Sequence, residues 1–298
     1  MSHVLTKYLV KKRHAEIIEI IKYLLETRSF LVFGSILSLL IIIAIFAPLI
    51  SPYDPLEQNL SERLNPPSLK HLMGTDQFGR DILTRVMYGA RASLIVAISS
   101  ITLAALFGVF LGIIAGYIGG KLDTVISRII DIMFAFPAVV LAIAVMAALG
   151  PGIVNVILVI VFVSIPQFVR ISRASAITEK EKPYVLAARS VGASPLRIMF
   201  RHILPNTLSP TIVQFTVLMA WAILTEAALS FIGVGIRPPE PSWGFMLNEA
   251  RNYILTGEWW MILFPGLAIT ISALTFNFLG DTLRDALDPK IRRRARVY

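Results

Sequence analysis

Six stretches of this 298-residue chain run long enough with little or no charge to cross a bilayer as helices: residues 29–50, 92–118, 130–149, 153–169, 210–234 and 259–279. A hydrocarbon core of about 30 Å takes about 20 helical residues. The backbone in such a core must satisfy its own hydrogen bonds, so these windows predict an all-α integral membrane protein with six transmembrane helices. Hydrophobic residues make up 56% of the chain and charged ones only 16%, which excludes an ordinary soluble domain. The first window exceeds a signal-peptide core, and no small-x-small cleavage pattern precedes Ser51-Pro52-Tyr53, so it reads as a retained span.

Charge sets the expected topology. Of the 28 Lys and Arg residues, 21 fall before the first window, in the second and fourth connections and in the tail. The other 7 are Arg63, Lys70, Arg80, Arg85, Arg91, Arg237 and Arg251. The positive-inside rule then puts both termini in the cytoplasm of a multi-pass cell-membrane protein. The net charge of +9 therefore tracks topology, and nucleic acid is not expected as a partner. With no cysteine, and with His3, His14, His71 and His202 lacking ligand spacing, no metal site is expected. Residues 7–26 mix Ile and Leu with charges and read as an amphipathic helix lying on the lipid surface. Ala104, Gly108, Gly112 and Gly116 recur every four residues, a stripe for close helix packing.

Between the fourth and fifth windows the apolar pattern stops for YVLAARSVGASPLRIMFRHILP, residues 184–205. Pro183 suits a first helical turn and Gly192 a left-handed stop, predicting a two-turn helix. Tyr184, Ala187, Ala188 and Val191 fall on one stripe of it, narrow and small in the middle, which another protein's groove could accept. Pro195 would open a second helix that Pro205 ends. The bland reading is an ordinary loop helix that covers span ends.

Leu186, Ala187, Ala188, Gly192, Leu204 and Pro205 resemble the conserved loop of binding-protein-dependent ABC importer permeases, with Leu186 in place of the usual acidic residue. HLMGTDQFGRDILTRVMYGARASL (71–94), EAALSFIGVGIRPPEPSWGFML (226–247) and LGDTLRDALDPKIR (279–292) are similar to the dipeptide and oligopeptide branch, which also includes nickel transporters. The first 28 residues carry no such signature. The resemblance implies a type I ABC importer permease fold whose coupling helix, Tyr184, Leu186, Ala187, Ala188, Val191 and Gly192, docks on an ATPase. It also implies a heterodimer with a second permease, two cytoplasmic ATPase subunits and an extracytoplasmic solute-binding protein. ATP and Mg would sit on those ATPases and no cofactor on this chain, which has no GxxxxGK[ST] loop and is not expected to be an enzyme.

The expected layout is an N-terminal segment 1–28, a first span 29–50, an extracytoplasmic segment 51–91, a permease domain 92–281 with coupling loop 171–208, and a basic tail 282–298. Asp81 and Arg85 are spaced i, i+4 on an expected short interfacial helix, and Trp243, Trp259 and Trp260 read as interfacial anchors. Pro137 and Pro166 should kink the third and fourth spans. Asp131 is expected to pair with Arg128. Glu226, deep in the fifth window, either lines a cavity or gate or holds an inter-helix hydrogen bond. The alternative function is an ion-coupled secondary transporter or channel using Glu226 and Asp131.

Overall fold

A computed structural model describes residues 18–288, and among these the regular elements are all helices, with one isolated bridge between Thr75 and Asp81. Residues 18–26 are helical, while the rest of the expected 7–26 helix and the end of the tail lie outside the described residues. The helices are α1 (Arg28–Ile50), α2 (Ile82–Ile118), α3 (Gly120–Phe134), α4 (Ala138–Leu149), α5 (Ile153–Lys180), α6 (Pro183–Ser190), α7 (Pro195–Ile198), α8 (Leu204–Ile232), α9 (Trp243–Ala250) and α10 (Trp260–Leu287). Five helical stretches are long and apolar enough to cross a membrane, and the α3–α4 pair makes a sixth if it counts as one span.

The core is α2 lying along α5, with α8 and α10 closing round them. The small-residue stripe explains this closeness. A Cβ added to Gly108 would come 2.5 Å from Phe168 Cβ, and one added to Gly112 would come 2.0 Å from Ser172 Oγ. At Gly116 the Arg173 carbonyl oxygen would be 2.6 Å away. All three distances are below van der Waals contact, so the two backbones can meet only across glycine.

Several expectations change. The window 130–149 is not one helix: α3 and α4 meet at 91°, because Pro137 donates no N–H and itself sits outside the helical region at ψ 128°. At about 1.5 Å per residue the 12-residue α4 falls short of the hydrocarbon thickness. Pro166, in contrast, sits inside the unbroken α5.

The chain enters α2 ten residues before the expected window, through a cap and without a separate short helix. The Asp81 carboxylate accepts from Thr84 N at 2.8 Å and faces His71 Nδ1 at 2.9 Å, so it does not pair with Arg85. Pro205 does not end the second loop helix either. Residues Pro195–Ile232 form one 38-residue helical stretch through a π turn, Met199–Ile203. A widened turn relieves the clash that a proline ring makes with the carbonyl four residues back. The last helix likewise runs on to Leu287, past the expected boundary at 281.

Trp243 and Trp260 are not interfacial. Both are buried, and their indole N–H groups donate to Val86 O at 2.9 Å and Thr75 O at 3.1 Å. Trp259 is exposed. Asp131 and Arg128 are both exposed on α3, and no ion pair joins them. The acid of α3 that is used is Asp123, held by Arg173 of α5 through Nε at 2.5 Å and Nη2 at 2.7 Å.

Candidate functional site

The α6 loop stands at the Gly116 end of α2, the opposite end from Arg85. Lys180, on the last turn of α5, fixes that position by donating from Nζ to Gly116 O at 2.9 Å. Pro183 opens α6, and Gly192 follows it at φ +83°, with the Gly192 and Ala193 N–H groups returning to Arg189 O and Ala188 O. A side chain would be strained at that φ, which is why the sequence needs glycine there even though nothing crowds the position.

The eight-residue helix fully buries one residue and leaves most of the rest exposed. Val185 is fully buried, whereas Leu186, Ala187 and Gly192 are exposed, Ala188 is half-buried and Val191 is 84% exposed. The structure thus brings Ala187, Ala188 and Val191 onto one open face. Tyr184 is also exposed along its ring, but its hydroxyl turns inward to the Glu179 carboxylate, which Lys182 also contacts. Burial, and then the Glu179 carboxylate, push the Tyr184 phenol above its ordinary pKa. Val185, the anchor beneath the helix, lay between two stripe positions and gave no signal of its own.

Glu226 sits on α8, fully buried. Ser93 Oγ of α2 donates to one carboxylate oxygen at 2.8 Å and Ser230 Oγ to the other at 2.9 Å. Ser230 Oγ in turn accepts from Ile236 N at 3.0 Å, so the group ties α2, α8 and the turn after α8. An apolar cavity of about 370 Å³ lies between α2 and residues 196–211, near Phe110 and Phe200, and Glu226 does not line it. The two acids considered for an ion-coupled carrier are therefore in different settings, one enclosed and one exposed on α3.

The Arg85 end holds a polar centre that sequence reading missed. Arg80 Nε donates to Asp76 Oδ2 at 2.6 Å and its Nη2 to Glu249 Oε1 at 2.7 Å, while Arg85 Nη2 donates to Glu249 Oε2 at 2.8 Å. Only the Asp76–Arg80 spacing hints at this locally. Glu249 comes from α9, more than 160 residues away.

Apolar helices of this number, with a short helix presented beyond the ends of the long ones, define a polytopic helical membrane protein. Residues 108–293 match the family described as binding-protein-dependent transport system inner membrane component. Residues 18–67 match the N-terminal transmembrane domain of oligopeptide transport permease C, so family likeness reaches into the first 28 residues, where no signature was expected. The chain is 46% identical over 270 residues to the di/tripeptide transport system permease protein DppC of Pseudomonas aeruginosa, covering 88% of this chain and 89% of that one. It is 47% identical to the dipeptide permease DppC of Alkalihalophilus pseudofirmus, covering 92% and 90%. It is 48% identical to the glutathione permease GsiD of Escherichia coli, covering 85% and 84%. A chain of the MetNI methionine ABC transporter, in an inward-facing conformation, superposes with a TM-score of 0.55 at 17% identity, covering 68% of this chain and 96% of that one.

The chain belongs to the family of binding-protein-dependent transport system inner membrane components, and it has the fold of an ABC importer permease. It is a permease subunit of such a transporter, which disfavours the ion-coupled alternative.

Proposed function

We propose that this chain forms half of the translocation pathway of an ATP-driven importer of small peptides, paired with a second, similar permease. An extracytoplasmic binding protein delivers the solute, and two cytoplasmic ATPase subunits dock at α6. Both termini lie on the α6 side of the membrane. Relatives named for dipeptides, di/tripeptides and glutathione support the peptide class. The lopsided distribution of basic residues supports the orientation.

The observation that carries the reading is α6 itself: a helix anchored by one buried valine, with a small-residue face left open to a partner. ATP binding draws the ATPases together, and a helix seated on them moves with them and shifts the spans between two access states. Such a shift requires docking contacts that differ between the states.

Ala188→Asp tests this by placing a carboxylate into what would be a desolvated groove, where an unpaired charge costs several kcal/mol. The variant should insert and fold as the parent does, yet lose copurification of the ATPase subunits or keep it with no hydrolysis response to loaded binding protein. Parental assembly together with parental stimulation would remove α6 from the docking role.

A further inference from the structure

The Tyr184 hydroxyl is placed where a docking residue would not need it. It donates to the Glu179 carboxylate in the last turn of α5, and it accepts from Asn206 Nδ2 at 3.1 Å in the first turn of α8. The other Glu179 oxygen is held by Lys182, at the N-cap of α6. Asn206 Nδ2 also donates to His202 O at 2.6 Å, and the His202 ring lies 6.1 Å from the tyrosine ring. One phenol therefore closes a chain of hydrogen bonds from α5 through α6 to α8, and neighbouring Lys180 extends it to α2 through Gly116 O.

Without this closure α6 would be joined to the spans by backbone at its two ends, by the buried side chain of Val185 and by the Arg189 guanidinium, 5.8 Å from the centroid of the Tyr117 ring of α2. The segment on its far side, 191–194, contains a glycine in the left-handed region and would bend easily. A helix that moves on hinges at both ends transmits little displacement. We propose that Tyr184, through Glu179 and Asn206, is the positioning residue that makes α6 move as one body with α5 and α8. This rests on the docking role given above, and it divides the helix in two: Ala187, Ala188 and Val191 face the partner, while Tyr184 faces the spans.

The test uses the complete transporter in lipid nanodiscs. Spin labels are placed at Ser190→Cys and Ile212→Cys of this cysteine-free chain, with the other subunits made cysteine-free. The parent should give one narrow distance that is the same without nucleotide and after trapping with ATP and vanadate. Tyr184→Phe, which removes only the hydroxyl, should broaden the distribution and make it shift on trapping. In that variant ATPase copurification should stay within about twofold of the parent while hydrolysis stimulated by binding protein falls about fivefold, the factor that a lost hydrogen bond of ordinary strength represents. Glu179→Gln keeps an acceptor oxygen and should retain the narrow distance, whereas Glu179→Ala should not.

The proposal is overturned if Tyr184→Phe and Glu179→Ala keep the parental distance in both states, or if Glu179→Gln fails to rescue it. It is also overturned if Tyr184→Phe releases the ATPases, which would make the phenol a docking contact. Failure of the parent chain itself to hold ATPase subunits would instead overturn the functional reading.

Discussion

The two ends of the α2–α5 pair handle polar groups in opposite ways. At the Arg85 end, charge meets charge within the chain: Asp76, Arg80, Arg85 and Glu249 are nearly enclosed, and each makes its contacts with the others. At the Gly116 end, α6 turns the Tyr184 hydroxyl inward and leaves Leu186 and Ala187, with Val191 just past its end, exposed. A buried network that satisfies itself makes a rigid surface that holds its shape before anything binds. An apolar face left uncovered among the described residues is the kind of surface that protein partners cover. On the function proposed above, the difference separates a part built to be stiff from one built to be gripped.

The largest expected effect comes from breaking the stiff end. Glu249→Ala leaves Arg80 and Arg85 without their shared acceptor, and removing one partner of a buried ionic group costs about 3–5 kcal/mol. The thermal midpoint of the purified chain should fall steeply, with loss of membrane expression, and an unchanged midpoint would mean that the network contributes nothing to the fold. Next is Gly112→Val, which forces side-chain atoms into Ser172 and the Val169 carbonyl where α2 meets α5. Overpacking of this kind costs about 1–3 kcal/mol, and the same melting measurement should show a smaller drop. The smallest concerns Glu226. Glu226→Gln keeps an acceptor for a serine hydroxyl and should cost no more than about 1 kcal/mol, whereas Glu226→Leu strips both hydroxyls of their acceptor and should cost about 1–3 kcal/mol. Equal melting of the two variants would show that Ser93 and Ser230 do not depend on the carboxylate.

The parts of this fold that were legible in the sequence are those written in local spacing. Apolar windows marked the spans, a four-residue period marked the α2–α5 contact, and Pro183 with Gly192 bracketed α6 within two residues at its end. What could not be read depends on distant partners. A tryptophan at a span end looks the same whether it faces lipid or, as Trp243 and Trp260 do, donates to a carbonyl more than 150 residues away. Asp81 and Arg85 have the spacing of a helical ion pair, but a cap claims one and Glu249 the other. Prolines gave mixed guidance because their effect depends on the turn before them: Pro137 breaks the third window, whereas Pro205 follows a widened turn and is absorbed. Within the loop, the stripe read from spacing has Ala187 and Val191 exposed and Ala188 half-buried, and spacing could not show that the Tyr184 hydroxyl points back to Glu179 and Asn206.

The contrast between the ends is tested most directly by asking what each touches in the assembled transporter. A photoreactive benzophenone amino acid can replace Val191 beside α6, or Leu255 at the other end; both are among the most exposed apolar residues of the chain. Irradiation of the intact complex should join Val191 to an ATPase subunit, and Leu255 to the binding protein or to no protein. Crosslinking of Leu255 to an ATPase, or labelling at Val191 that never reaches one in a complex where the ATPases are present, would contradict the assignment of α6 as the docking helix.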